Sequence, residues 1–523
     1  MTKKKNEVDF CIVGMGASGS VIAAELSKAG FSVTCLDAGP MREPKRDFSS
    51  DELEMEKLYW NDPRISLGND PINLSRSNSG KGVGGSAVHY TAQLLRFHHS
   101  DFRTKSIEGV GEDWPITYDE LAPFYDRMEK VLQLSGPNDF PWKPYGGPYP
   151  MPQHHDLSNN TLKFREGCEN IGLQHSVSPL AILSAPHNNR EPCINRGFCE
   201  EGCMPDSKTT PLNTFVPEAM KNGAEVIANA MVTQVVSTKK GHVKGVEYLD
   251  NGIEKFLAAK VVILASYAIE TPRLLLNSAN ANYPNGIANS SGLVGKYLIT
   301  NTNDQMIVKF NEEIRMYRGN PVQALTLDPY ERGKKKGYAR GFLMNSYGSR
   351  PVKLANMFFD NDSSCFGETL RERMLDYNYF GGFAMLGEVL AQEQNFVKLH
   401  SIDKDQYGLP VPEVHFSFHE NDLKIREDAK EVLSEIGRAA GGKPLYHLKG
   451  IAHLMGGCRM GNDPTTSVVN SYGQTHDIKN LFIVGTPTYV TAPSANPTLT
   501  AYALALRTAE FIATEAKRGN LSS

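Results

Sequence analysis

The residues of this chain whose types and spacing could do chemistry are a histidine, an asparagine and three clustered cysteines. His453 sits in Ile451-Ala-His-Leu-Met-Gly-Gly-Cys-Arg-Met-Gly461, and Asn496 in Ser494-Ala-Asn-Pro-Thr498. An imidazole titrates near neutrality and can take up a proton, whereas an amide can only hold an oxygen by hydrogen bonding. The two are candidates to sit together over one reacting carbon. Cys193, Cys199 and Cys203, spaced x5 and x3 in a loop with two glycines, can converge on one soft metal centre. Structural zinc would want a fourth protein ligand, and no further cysteine or nearby histidine supplies one, His187 being the closest. A disulfide would use two of the three and leave one over. Of the scattered cysteines, Cys11 and Cys35 fall in apolar strand patterns and read as small core residues, and Cys168, Cys365 and Cys458 stand alone.

The elements that must position these groups begin at the N-terminus. Val8-Asp-Phe-Cys-Ile-Val13 is a short buried strand, Gly14-Met-Gly16-Ala17-Ser18-Gly19 follows at once, and helical spacing over 20–29 leads to a second strand over 31–36 that ends at Asp37. This is a βαβ unit: Gly14 permits the turn, Gly16 lets the backbone approach a pyrophosphate, and Gly19 lets helix and strand pack closely. The helix N-terminus offers free N–H groups to phosphates, and Asp37 is placed to accept from a ribose diol. NAD and FAD use the same physics, so this unit leaves the dinucleotide open. A second passage, Gly80-Lys-Gly82-Val-Gly84-Gly85-Ser86-Ala-Val-His89-Tyr90-Thr91, lets the backbone run close to a flat ligand.

A chain of 523 residues with 40% hydrophobic and 22% charged residues is globular and long enough for two domains, here read as interleaved. The net charge of −4 gives no reason to expect nucleic acid. No apolar run is long enough to span a bilayer, and the basic start lacks the apolar stretch of a secretory signal, which makes the chain cytoplasmic by default. Downstream of Asp113-Trp-Pro, a helix is expected over 118–134, and the proline- and glycine-rich run 137–152 reads as an excursion outside the core. Strands are expected over 224–229, 231–237, 243–249 and 260–265, with a turn at Lys240-Gly241, and a helix from Glu270 with proline in its first turn. The strand patterns over 306–310, 338–344, 395–400 and 413–418 read as one large, mostly antiparallel sheet, followed by a helix over 420–440.

Gly14–Gly19, Gly84-Gly85-Ser86, Asp113-Trp-Pro-Ile-Thr-Tyr118, Glu270-Thr-Pro-Arg-Leu-Leu-Leu276 and the C-terminal stretch together resemble the glucose–methanol–choline (GMC) flavin oxidoreductase family. The resemblance implies an α/β (α+β overall) fold. In it a Rossmann-like FAD-binding domain over 1–110, 190–300 and 445–520 interleaves with a substrate domain over 111–189 and 301–444. It implies FAD held by Gly14, Gly16, Ala17, Ser18, Gly19, Asp37, Gly84, Gly85, Ser86, His89, Val232 (against the adenine), Thr486 and Pro497. The helix from Thr498 would point its N-terminus at the flavin pyrimidine. The family's catalytic base matches His453, and its partner, histidine or asparagine, matches Asn496 as the group that positions the substrate oxygen. His89-Tyr90-Thr91 is similar to the place where pyranose oxidases of the family carry flavin covalently; the other reading is a histidine that packs or hydrogen-bonds near it. Where relatives show Asp-His after Gly-x-x-Gly-x-x-Leu, this chain has Leu298-Ile-Thr-Asn301, and no role transfers there.

The cysteine loop is similar to that of the iron–sulfur catalytic subunits of bacterial FAD-dependent glucose dehydrogenases, which implies a [3Fe–4S] centre on Cys193, Cys199 and Cys203. The expectation is a dehydrogenase that oxidises a sugar or glycoside hydroxyl, at C1 or, as in glycoside 3-dehydrogenases, at C3. A small partner subunit able to carry an export signal for both chains, which would make the location periplasmic, and a cytochrome-type acceptor are implied with it. The rivals are an oxygen-using pyranose or glycoside oxidase with covalent FAD, and a flavin-containing enzyme like the hydroxynitrile lyases.

Overall fold

The computed structural model describes residues 7–74, 78–154, 156–238 and 241–521. The basic start of the chain and Lys240 of the expected turn lie outside the described residues. The first strand, β1 (Val8–Val13), is apolar from Phe10 to Val13, where it is buried; Cys11 and Ile12 are fully buried. Helix α1 (Ala17–Lys28) starts earlier than the apolar spacing alone suggests, with extended Gly16 as its N-cap and the loop residues Ala17 to Gly19 already helical. Strand β2 (Val33–Leu36) runs parallel to β1, with Ile12 opposite Cys35. On its other side β1 pairs in parallel with the strand Ile253–Leu264, Val13 opposite Leu264. That strand is longer than expected because its first half folds back on Val243–Asp250 as an antiparallel hairpin.

The resulting seven-stranded sheet has the order Glu225–Ile227, β2, β1, Ile253–Leu264, Val243–Asp250, Ala230–Ser237, with Leu481–Ile483 parallel to Ile253–Leu264. The C-terminal helix Thr498–Lys517 packs on α1. The helix that carries Glu270 begins at Tyr267, so Pro272 lies one turn further in than expected; Glu270 is buried between Arg64 and Arg273.

The second layer is an eight-stranded sheet, antiparallel in all its pairings. Its centre is Phe380–Gly387, flanked by Gln305–Lys309 and Phe342–Ser346. Alternation along this strand turns Phe383 and Met385 into a core with the helices Asn159–Asn170 and Glu420–Ala439, through Phe164, Ile425, Ala429 and Ile436. Ala384 and Leu386 face the other way, into a cavity. The strand Ile451–Met455 joins this sheet through Ile299–Thr302, so His453 is carried by the second layer.

Three expectations need correction. The strand pattern over 338–344 forms a strand only from Phe342, because Tyr338 and Arg340 are spent on buried polar contacts: Tyr338 donates to Asp428, and Arg340 joins Asp101 to Glu388. The strands Phe396–Lys404 and Pro410–His415 form a separate three-stranded sheet with Ile65–Leu67, and are not part of the large one. The run 137–152 is not outside the core, since Phe140, Tyr149 and Met151 are buried and Phe140 packs edge-on against Tyr149. Among the described residues no helix is long and apolar enough to cross a membrane.

Candidate active site

A cavity of about 790 Å³ is lined by both layers. Its floor is the turn after β1. Gly14 has a φ of +95°, and a Cβ there would come within 2.6 Å of the Ala265 carbonyl oxygen. At Gly19 a Cβ would lie 1.9 Å from the Gly14 oxygen, so the close packing read from the sequence is strict. Gly14, Gly16, Ala17 and Ser18 line the cavity, and no side chain caps the N-terminus of α1, so its N–H groups are open to an anion. Asp37, at the end of β2, accepts from the N–H groups of Met15 and Gly39, both at 2.9 Å, and each oxygen keeps a lone pair for a ribose hydroxyl. Burial raises the Asp37 pKa, against the lowering effect of those two N–H groups.

The second glycine passage crosses this turn at contact distance. A Cβ on Gly85 would sit 2.8 Å from the Gly16 Cα. Gly84 (φ +98°) donates to the Met15 carbonyl, and the Ser86 hydroxyl accepts from the Gly80 N–H. Val232 lines the cavity beside Ala265 and Asn277, and Thr486 and Pro497 line it near His453 and Asn496. Gly19 and Gly84 shape the cradle without lining it. The buried polar atoms of the cavity wall that have no hydrogen-bond partner include His89 Nε2, Thr486 Oγ1 and Asn496 Oδ1. An anion cradle, a diol-binding carboxylate and these unpaired atoms fit a dinucleotide flavin.

Above the floor, His453 occupies the left-handed region (φ +63°), a strained backbone for a side-chain-bearing residue and of the kind found at functional sites. Its Nδ1 is 3.0 Å from the Asn301 Oδ1. The Asn301 amide nitrogen donates to three carbonyl oxygens, those of Gly387, Ala492 and Pro493, at 3.0–3.2 Å. Carbonyls accept only, so the amide cannot be turned round, and its oxygen must face His453. The proton of neutral His453 therefore sits on Nδ1, and Nε2 keeps its lone pair. Burial lowers the His453 pKa to about 4, so the ring is neutral at pH 7. A neutral imidazole with a bare Nε2 in the cavity is a base ready to act.

Asn301 is a functional residue that sequence reasoning missed. Its signal was the departure at Leu298-Ile-Thr-Asn301, which marks a local solution without saying for what. The same amide ties the Ala492-Pro493 backbone, just before Asn496, to the strand of His453, and Tyr489 fixes the far side of the loop by donating to the Pro497 carbonyl.

His89 lies on the cavity wall edge-on to Tyr59, and burial first, then the charge of Lys208, lowers its pKa to about 3. Lys208 is fully buried; its ammonium donates to the carbonyls of Val88, Tyr90 and Cys199, stitching the His89 loop to the cysteine loop. Each of the three sulfurs accepts one N–H at 3.4 Å: Cys193 from Asn195, Cys199 from the Asn320 amide, Cys203 from Lys208. They are near enough that charge on Cys203 raises the pKa of both other thiols, although burial is the larger cause and takes Cys199 to about 12. The donor set is right for a thiolate-held cluster, yet among the described residues no three side chains converge closely enough to hold a metal ion.

Two GMC oxidoreductase family models match the chain, over residues 8–302 and 391–505. The 2-methyl-1,2-propanediol dehydrogenase of Mycolicibacterium austroafricanum is 32% identical, over 98% of this chain and 96% of that one. The fructose dehydrogenase large subunit of Gluconobacter japonicus is 29% identical, over 99% and 100%. A formate oxidase crystal structure shares the fold with a TM-score of 0.69 at 16% identity, over 98% and 99%. With the cradle, the neutral histidine and these matches together, the chain belongs to the GMC oxidoreductase family, as an FAD-dependent enzyme acting on CH–OH donors.

Proposed function

We propose that this enzyme is a dehydrogenase that oxidises a hydroxyl of a sugar or glycoside, at C3 or C1, to a ketone or lactone. The observation that carries the reading is that the bare Nε2 of His453 and the unpaired Asn496 Oδ1 belong to the same cavity as the dinucleotide cradle. His453 takes the hydroxyl proton on Nε2, and Asn496, donating from its amide N–H, holds the substrate oxygen so that the reacting C–H is aimed at the floor. Asn301 keeps the other ring nitrogen protonated and the ring in place. Bound FAD supplies the hydride acceptor. The relatives' names, one for a diol and one for a ketose, support a hydroxylated substrate.

In this reading Cys193, Cys199 and Cys203 would hold a [3Fe–4S] cluster, which would supply the electron exit. Three thiols, each with one N–H donor, support it, as does the tie through Lys208 to the His89 loop. The words "large subunit" in a relative's name support a small partner subunit, with a cytochrome-type acceptor beyond it and export in company with that partner. The unpaired His89 Nε2 favours a second reading of the cofactor's attachment, a covalent bond to flavin at that atom.

The deciding measurement is the visible spectrum and iron content of anaerobically purified enzyme, before and after glucose and methyl glucoside. Flavin bleaching with about three irons per chain is expected. Flavin bands with zero iron remove the cluster, and flavin that no alcohol bleaches removes the dehydrogenase. Acid precipitation that leaves a colourless pellet removes the bond at His89.

A further inference from the structure

Among the described residues, six that line the cavity carry a buried oxygen or nitrogen with no partner: Trp60 Nε1, Arg64 Nε, His89 Nε2, Asn345 Oδ1, Thr486 Oγ1 and Asn496 Oδ1. His89, Thr486 and Asn496 have work in the proposed chemistry, and the Trp60 and Arg64 nitrogens can only donate. Asn345 is an acceptor with no assigned partner. It lies on the strand Phe342–Ser346, directly across from Ala384 of the central strand, whose other neighbour in the same row is Gln305. Ala384 is small and leaves room beside the amide. Gln305 is occupied, donating to the Tyr347 carbonyl and accepting from the Ser349 hydroxyl. Asn345 is only 7% exposed, so bulk water does not satisfy its oxygen.

Of the charged groups that line the cavity, Lys353 and Glu200 are closed on each other. Lys353 uses its three N–H bonds on both oxygens of Glu200, at 2.7 and 2.8 Å, and on the Tyr347 hydroxyl at 2.5 Å. This trio lines the same cavity but spends its charge internally. What the Asn345 amide lacks is a neutral partner, and a hydroxyl, which both donates and accepts, suits either end of it.

Resting on the reading that His453 and Asn496 hold the reacting hydroxyl, we propose that Asn345 is a specificity residue that binds a second hydroxyl of the same substrate. The enzyme then selects diols and polyols over monohydroxylated alcohols. A monoalcohol enters the cavity but leaves the buried amide oxygen unpaired, which a hydrogen-bonding site rejects strongly.

The test compares wild-type holoenzyme with Asn345→Leu on matched pairs: 1,2-propanediol against 1-propanol, and methyl glucoside against each of its single-deoxy analogues. Wild type should prefer the richer member of at least one pair by about tenfold or more. Asn345→Leu should lose that preference by lowering kcat/KM for the richer member, while the poorer member stays within about twofold. Asn345→Ala, which only removes atoms, carries the same expectation if the leucine variant does not fold. Equal losses on both members, or an unchanged ratio, overturn the assignment. If no alcohol reduces the wild-type flavin, the dehydrogenase reading falls by itself. Dissociation constants for the same pairs, read from perturbation of the flavin absorbance, then decide Asn345: a variant that binds both members of every pair as wild type does overturns it.

Discussion

The floor of the cavity is organised around one short stretch of chain, Val13 to Asp37, on which Gly85 and Ala265 pack, whereas its roof is assembled from the strands at 305–309, 342–346, 380–387 and 451–455, with the strand at 299–302 behind His453. On the floor, tolerance is set by backbone touching backbone: Gly14 against Ala265, Gly19 against Gly14, Gly85 against Gly16. On the roof it is set by side chains that satisfy one another, as Asn301 does with His453 and three carbonyls. The floor should therefore fail completely when one atom is added. The roof should fail by degrees when a hydrogen bond is removed.

The largest effect belongs to the floor. Gly19→Val places a Cβ where the Gly14 oxygen already is, and neither backbone segment can move without unpicking β1 and α1. The expected outcome is protein that is insoluble or colourless, measured as the flavin-to-protein absorbance ratio. A soluble, yellow variant would show that the turn is softer than its packing implies.

The same contrast explains what could be read in the sequence. Gly14, Gly16, Gly19 and Asp37 signal by spacing, because a βαβ unit forces its ligand contacts into one short segment. His453 and Asn496 were legible because glycines and a strand pattern surround them. Asn301 and Asn345 carry no local pattern; each gains meaning from a partner strand that pairing brings alongside, Ala452 for one and Ala384 for the other. The assignment of Phe396–Lys404 to the wrong sheet has the same origin. A strand's periodicity reports which of its faces is buried, and says nothing of which strand lies next to it.

On the roof the next largest effect is at the base itself. His453→Ala should lower kcat by about 10²–10⁴-fold, in line with loss of a general base, while the flavin-to-protein ratio stays at the wild-type value. Loss of flavin together with activity would mean that His453 is part of the cradle and not only of the chemistry.

Asn301→Ala should cost less. It removes the acceptor for Nδ1–H and the amide donor shared by three carbonyls. An unsatisfied buried group costs about 1–3 kcal/mol, which corresponds to roughly ten- to hundredfold in rate if it falls on the transition state. The loss should appear in kcat more than in KM, since the ring's tautomer and aim are disturbed and the substrate's other contacts are not. A change confined to thermal stability, with kcat untouched, would reduce Asn301 to a brace for the Ala492-Pro493 loop.

The smallest effect at neutral pH is also the most direct test of how dry the roof is. Burial lowers His453 from its ordinary 6.5 to about 4. A base must be unprotonated to act, so kcat/KM should hold as the pH falls from 7 and bend down only near 4. At pH 5, a group of pKa about 4 is about 90% neutral, against about 3% for an ordinary histidine. The wild-type rate at pH 5 should thus stay close to its value at pH 7. Stability runs in the same direction: folded His453 binds fewer protons than the unfolded chain between pH 6.5 and 4, so its contribution is complete above 6.5 and is lost as acid is added. Returning samples to pH 7 after exposure to pH 5 separates the two, because a titrating base recovers its rate at once and a chain that has released its flavin does not. An acid limb at 6.5 with full recovery would mean that water reaches the ring from the cavity side. Asn301 would then be aiming a solvated histidine, and the contrast between a rigid floor and a dry, mutually satisfied roof would hold only for the floor.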